Sequence, residues 1–298
     1  MLRSSVSLLF IFLSITCFSQ DEEESHAERS ASKFHAGLYF GALFPNNNST
    51  DVYDGYGYDI HGVKNAFSTS LMNNNINGYY GGGYGQPDQV AVALGVNHGD
   101  WSFDETDMPG DLTYSVGIVL GLQTSYSIND RNLILLNFMG SRLSVSGNFT
   151  ITLVNTSPVP QQPGTLYYQT FGITGSEQRF MFQLGYQHIF GEEGGFNFFV
   201  EGGAIGTLTK YLKNQIAINS LNMDLSSFYN QPLYDDFRLH KLSGIGFGAW
   251  GGLGMTTASY AKTTLQLVYN PSLENITLGP DPKPSLQHYI GLRAYYNL

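Results

Sequence analysis

The clearest pattern in this chain is an alternation of apolar residues with small or polar ones, repeated in separate segments. Because successive side chains of a β-strand point to opposite faces, each segment predicts a strand with one wholly apolar face. The alternation is most regular in Phe34–Phe44 and from 112 to 128. Six further segments share it more or less strictly: 133–145, 177–190, 196–209, 242–255, 262–270 and 288–298.

The connections between these eight segments alternate in length. They are a few residues long after the second, fourth and sixth segments, and long at 45–111, 147–176, 210–241 and 271–285. Transmembrane barrels have short periplasmic turns and longer external loops. The predicted fold is therefore all-β: an eight-stranded antiparallel transmembrane β-barrel with long extracellular loops and with both chain termini in the periplasm.

A ten-stranded barrel is the alternative. It would promote the apolar stretch Gln89–Val96 to a spanning strand, with a partner strand around Trp101. The residues around Trp101 are too polar for a lipid-facing strand, and this favours eight strands.

The beginning of the chain predicts a secreted protein. Arg3 precedes an apolar run from 6 to 18, and small residues follow, which is typical of a signal peptide over residues 1–19. A lipoprotein, with Cys17 as the modified residue, is the alternative. Residues 20–33 then form a short periplasmic tail, and 34–298 form the barrel with its large first external loop at 45–111.

Composition narrows the class of protein further. The chain has 35 glycines, 20 tyrosines and 20 phenylalanines beside only 14 Lys plus Arg, and its net charge of −10 disfavours nucleic acid as a partner. Cys17 is the only cysteine, so cleavage after residue 19 leaves no disulfide, zinc–thiolate site or cysteine nucleophile. Composition and alternation together predict the outer membrane of a Gram-negative bacterium as the location, and no cofactor is expected.

These segments resemble the small outer-membrane barrels of the OmpA and OmpX type over roughly residues 34–298. The terminal segment His288–Leu298 is similar to the outer-membrane assembly signal, with Leu298 where a final aromatic residue is expected. The signal ending and the Asn- and Tyr-rich loops are similar in style to proteins of the Bacteroidota. That resemblance implies a role as accessory subunit of an outer-membrane assembly or secretion machine.

Charged residues on the inward faces predict a polar network in the barrel interior. Arg179, Glu201 and Arg293 lie on the inward parity of their strands, where Gln183 can hydrogen-bond to them. Because buried ions are tolerated only when paired, a satisfied network that fixes the strand register is favoured over a gate or a proton path.

The first external loop contains apolar and aromatic residues that disorder would not favour. A helical face is expected within 63–76, and a Gly-rich turn region follows. A partner-docking surface is predicted from these residues: Phe67, Leu71, Tyr79, Tyr80 and Trp101. The alternative is that the loops pack on one another only as a lid over the barrel.

Other residues suggest chemistry less specifically. The acidic clusters 51–59 and 104–111 could supply oxygen ligands for calcium, but their spacing matches no known calcium loop, which favours solvated loops. His240 and Ser243 are the nearest local candidates for lipid hydrolysis, although their spacing does not place them on one strand face.

The favoured function is a non-enzymatic integral outer-membrane barrel. Its expected partners are outer-membrane lipid and other envelope proteins bound through the external loops. The alternatives are a hydrolase or acyltransferase acting on outer-membrane lipid, and a narrow channel for small solutes.

Overall fold

The computed structural model describes residues 33–59, 63–154, 167–191, 197–225, 243–256, 263–276 and 283–297. The expected signal peptide, 1–19, the lipidation alternative at Cys17 and all but Lys33 of the expected tail, 20–33, lie outside these residues.

Eight antiparallel strands pair in chain order and close into a ring, because the first strand also pairs with the last. The strands are β1 (Phe34–Phe44), β2 (Gly117–Asn129), β3 (Asn132–Leu153), β4 (Tyr167–Phe190), β5 (Asn197–Ile218), β6 (Ser243–Thr256), β7 (Thr263–Ile276) and β8 (Lys283–Asn297). The eight-stranded prediction is confirmed. The ten-stranded alternative is wrong, since Gln89–Leu94 forms a helix whose first turn is capped by the Asp88 side chain.

The faces of the strands follow the predicted alternation. Outward positions carry exposed apolar side chains, which form a continuous band around the ring; on β1, for example, Leu38 and Phe40 point outward and Tyr39 and Leu43 inward. Such a band is stable only against hydrocarbon. The ring is therefore a membrane-spanning barrel.

Three strands extend well beyond the membrane. β3, β4 and β5 continue as a protruding sheet through parts of 147–176 and 210–241, where loops were expected, and Leu221–Asp224 adds a short strand beside β5. The expected loop 271–285 is likewise shortened by β7 and β8. Along β3 the apolar positions change sides: Phe138 points outward in the band, whereas Phe149 and Ile151 point inward above it.

The segment predicted as one strand from 112 to 128 is interrupted. Thr113–Tyr114 pairs with β3 at Ser146 and Val145, and the register has shifted by one residue where Ile118 meets Arg142. Such an irregularity bends a strand and re-aims its side chains.

The described part of the first external loop, residues 45–59 and 63–116, is called the cap. It contains 3₁₀ turns, a helical stretch made of an α-turn (Leu71–Asn73) and a π-turn (Asn74–Tyr79), the helix Gln89–Leu94, and the short strand Trp101–Ser102 on β3. Its apolar core packs on the inward face of the protruding sheet. The main core residues are Val52, Tyr53, Leu71, Met72, Ile76, Val90, Phe103, Phe149, Ile151, Phe171, Ile173 and Ile216.

Among the described residues, no helix has both the length and the apolar composition needed to cross a membrane.

Candidate functional site

The interior of the barrel holds a buried bidentate ion pair. Arg293 on β8 donates from Nη1 and Nη2 to the two carboxylate oxygens of Glu201 on β5, each at 2.6 Å. Both side chains are inaccessible to solvent, and the Arg293 guanidinium also lies 5.8 Å from the Tyr39 ring centre. The pair spans the barrel and fixes the distance between two strands that are not neighbours.

Arg179 does not share that pair. Its Nε donates to Glu177 on the same strand at 2.5 Å, and both side chains are fully buried. Two cap tyrosines complete the group, because Tyr53 and Tyr114 each donate to Glu177 Oε2 at 2.9 Å. The sequence prediction of one network around Glu201 is therefore corrected to separate clusters, each with its own carboxylate.

Glu274 on β7 is the third inward carboxylate. It accepts hydrogen bonds from Ser272 at 2.5 Å and from Tyr289 at 3.0 Å, and also from Thr207. Gln183, predicted to serve the arginines, instead accepts from Asn137 Nδ2 at 2.9 Å. The interior is thus divided into local polar groups, some of which, such as Asn137–Gln183, join neighbouring strands, while Glu201–Arg293 and Thr207–Glu274 join strands that are not neighbours.

Two of these carboxylates were missed by sequence reasoning. Glu177 has the inward parity of Arg179 two residues away, so the alternation alone could have identified it. Glu274 lies beyond Pro271, a residue that favours a strand end. The β7 strand continues past Pro271, and the described pairing of β6 with β7 skips that position.

The interior is filled rather than open. A β-carbon added at Gly291 would lie 2.5 Å from the Tyr39 ring, and one added at Gly185 would lie 2.5 Å from the Trp250 ring. Buried apolar side chains such as Met139 occupy the remaining space. An eight-stranded barrel is only just wide enough for its own side chains, and these occupy it.

Contacts with the barrel strands hold the cap at the external opening of the barrel. Tyr53 is fully buried, stacks on Tyr211 with ring centres 5.1 Å apart, and lies so close to Gly175 that any side chain there would collide with it. Burial and the nearby Glu177 carboxylate raise the pKa of Tyr53, so the phenol keeps its proton and can donate. At the rim the Asn46 amide donates to Gln287 at 3.1 Å.

The predicted docking residues are placed unequally. Leu71 is only 3% exposed, in the cap core, and Phe67, Tyr80 and Trp101 are partly buried against that core. Tyr79 is half exposed, with its ring packed edge-on against Tyr80. Most of the set therefore supports the cap from within.

The most exposed aromatic residue of the described cap is Tyr84, which the sequence analysis did not single out. Its side chain is 79% exposed, and its backbone adopts the left-handed conformation with φ 54° and ψ 23°. The ring lies over Gly78, where an added β-carbon would be 2.8 Å from it. The sequence feature that could have identified Tyr84 is its position inside a Gly-rich turn.

A polar cluster supports this turn. Asp88 accepts from the Trp101 indole at 3.0 Å and contacts His98 Nδ1 at 2.7 Å. Gly81 packs against the Trp101 ring, leaving no room for a side chain. The cluster fixes the base of the turn and leaves most of His98 exposed.

The acidic clusters have structural partners. Asp54 binds Lys64 at 2.5 Å, and Asp107 caps its own turn and accepts from Thr150 of β3 at 2.5 Å. Within the described ranges, no group of three or more His, Cys, Asp or Glu side chains is arranged to hold a metal ion. Of the pair considered for hydrolysis, Ser243 begins β6 and His240 lies outside the described residues.

The closed ring, its apolar band and its filled interior define a small outer-membrane β-barrel, located in the outer membrane of a Gram-negative bacterium.

No protein-family model and no curated protein sequence matches the chain. Among solved structures it is similar to Neisserial surface protein A, at 9% identity over 91% of this chain and 100% of that one, with a TM-score of 0.35. It is also similar to OprG from Pseudomonas aeruginosa, at 11% identity over 90% and 97% with a TM-score of 0.38, and to Ail of Yersinia pestis, at 9% identity over 89% and 99% with a TM-score of 0.31. Because these likenesses are weak, the fold is established by the strand pairing.

Proposed function

We propose that the protein is a non-enzymatic accessory subunit of an envelope complex, and that its cap binds another envelope protein. The observation that carries this proposal is Tyr84, a large aromatic side chain held in solvent on a strained backbone. The partner surface predicted from the sequence is thereby moved from the cap core to the turn around Tyr84, with Tyr79 beside it.

The conformation of Tyr84 is unfavourable for any residue with a β-carbon. A left-handed backbone costs a non-glycine residue roughly 1–2 kcal/mol. Here the ring gains little burial to offset this cost, since most of it faces solvent. Strained residues of this kind tend to occur at functional sites, where the surrounding structure holds them in place.

The surroundings of Tyr84 suit a binding surface. Tyr79 is exposed next to Gly78, the residue over which the Tyr84 ring lies. The cluster of Asp88, His98 and Trp101 fixes the turn from below. Tyrosines held rigidly on a surface are enriched at the energetic centres of protein interfaces.

The test is a Tyr84→Gly substitution in the full-length protein. Glycine relieves the strain, so the unfolding free energy should stay the same or rise by about 1 kcal/mol. After gentle solubilisation of native membranes, size analysis should show a partner-bound species for the wild type and its loss for the variant.

A matched control is available on β4. Tyr168 is 63% exposed on the outer face of the protruding sheet, and Tyr168→Thr should leave the partner-bound species intact. Deleting 63–77 would be less informative, because it removes Leu71, Met72 and Ile76 from the cap core. If the wild type always runs as a lone monomer, or if Tyr84→Gly keeps its partner, the proposal is wrong.

A further inference from the structure

The outer wall of the barrel changes from apolar to polar along a single row of paired residues. On three neighbouring strands Arg142 pairs with Gln178, and Gln178 pairs with Lys210. One step nearer the periplasm the same strands present Gly140, Phe180 and Leu208, which belong to the apolar band. The row therefore marks the external edge of the hydrocarbon layer.

A second lysine is turned onto this wall by a β-bulge. Glu177 pairs with Tyr211 while Ser176 pairs with Lys213, so Leu212 is an extra residue in β5. Without it Lys213 would lie on the inward side of the strand. With it Lys213 is exposed on the outer wall, one rung above Lys210. Arg142, Lys210 and Lys213 are called the basic rim.

The acidic residues of the strands lie on the inward face only, where two of them pair with Arg179 and Arg293. The three acidic residues of the eight described strands, Glu177, Glu201 and Glu274, all point inward and are buried. The basic rim points outward, and within the described ranges its three side chains form no ion pair. Asp224 lies further out, on the short strand opposite Gln215. The described lipid-facing wall thus carries a net positive charge at the membrane edge.

We infer that the basic rim binds the phosphate group of an anionic lipid in the outer leaflet. Arg142 and Lys210 are two strand spacings apart, roughly 10 Å, so long side chains on both can reach one phosphate. Below them Phe138 and Phe182 are exposed in the apolar band, where the acyl chains would lie. Basic residues at a membrane surface attract anionic head groups in this way.

The experiment uses the full-length protein in phosphatidylcholine nanodiscs, with diphosphoryl lipid A as the probe. Each cation near a membrane surface contributes roughly a fivefold change in affinity. The triple variant Arg142→Gln, Lys210→Gln and Lys213→Gln should therefore bind the probe roughly a hundredfold more weakly than the wild type. Dephosphorylated lipid A should bind the wild type no better than it binds the triple variant.

Arg131→Gln is the matched control, since it removes an exposed cation from the short turn at the opposite end of the barrel. It should leave the affinity unchanged. Equal losses in the control and the triple variant, unchanged binding by the triple variant, or equal binding of dephosphorylated lipid would each overturn the inference. Displacement of the lipid by low concentrations of inorganic phosphate would overturn it as well, by showing a site for the free anion.

The outward positions of these residues should leave folding intact, which heat-modifiable migration in gels checks. If the triple variant does not fold, the single Lys210→Gln variant replaces it. A roughly fivefold loss is then expected. An affinity equal to that of the wild type would count against the basic rim.

Discussion

Tyr53 of the cap donates a 2.9 Å hydrogen bond to Glu177, the same carboxylate that binds Arg179 inside the barrel. The external loop and the barrel interior are therefore joined through one buried anion. Since the donor belongs to the cap and the acceptor to β4, displacing the cap would leave the Glu177–Arg179 pair short of a bond where water has little access.

Replacing Tyr53 with Phe should destabilise the protein by about 2 kcal/mol, because a hydrogen bond to a buried charge is lost while the ring keeps its stacking on Tyr211. Equilibrium unfolding in urea with detergent micelles measures the change. Tyr168→Phe, on an exposed ring, should have no effect. An unchanged midpoint for Tyr53→Phe would show that this bond does not hold the cap.

Replacing Glu201 with Gln should cost about 3 kcal/mol, because it leaves the buried Arg293 without its counter-charge. The same unfolding measurement applies. A double variant, Glu201→Met with Arg293→Met, should lose less than this single change, since the charge and its partner are removed together. A larger loss in the double variant would mean that the attraction between Glu201 and Arg293 stabilises the barrel by more than the burial of the two charges costs.

Replacing Gly291 with Ala should cost about 2 kcal/mol, because the new methyl group would collide with the Tyr39 ring in a filled interior. Gly206→Ala is the matched change on the outer wall, where the nearest atom would be a tolerable 3.7 Å away, on Phe247. Its effect should stay within about 0.5 kcal/mol. Equal effects at the two sites would indicate spare room in the interior.

The wild-type protein should give no stable single-channel currents in planar lipid bilayers. Side chains such as Tyr39, Trp250 and Arg293 occupy the barrel interior, and Tyr53 lies in its mouth. Steady conductance at ordinary salt concentrations would revive the channel as a function.

The stability of the cap should depend on pH through Asp54. Burial raises the pKa of this carboxyl, and the hydrogen bonds from Lys64 and from the Tyr56 amide offset only part of the rise. A pKa that is higher in the folded cap gives stability that is complete below the unfolded value of about 3.9 and is lost as the pH rises through the folded pKa.

Asp54→Asn keeps the acceptor for the Tyr56 amide and removes the titration. The unfolding temperature of the variant should therefore rise relative to that of the wild type as the pH rises from acid to neutral. If the unfolding temperature of the wild type instead rises relative to that of the variant, the bond to Lys64 outweighs the effect of burial on the Asp54 pKa.

The membrane-spanning part of the fold could be predicted from the sequence because lipid requires every strand to present apolar side chains on its outward face. Leu38, Phe182 and Leu267 all point outward as their parity requires. The inward position of Glu201 follows from the same rule. Its partner Arg293 could not be chosen over Arg179, since pairing across the barrel depends on strand stagger, which alternation does not reveal.

Above the membrane the apolar side chains face inward instead of outward, and there the sequence analysis predicted loops where the strands in fact continue. The outward side chains of β3 meet water beyond Arg142, while Phe149 and Ile151 pack under the cap. The alternation continues, but its apolar half now faces inward, so the segment no longer resembles a lipid-facing strand. Cap residues such as Leu71 have the same composition whether they serve a core or an interface. Only the fold separates Leu71 from the exposed Tyr84.

The protruding sheet also determines how far the external part of the protein stands above the membrane. β3 continues from Arg142 to Leu153, which at about 3.3 Å per residue and a tilt of about 40° carries its tip roughly 28 Å above the hydrocarbon edge. Another protein could therefore reach the cap from the side without touching the bilayer, and two such proteins in one membrane could be bridged by a third standing well above the lipid head groups.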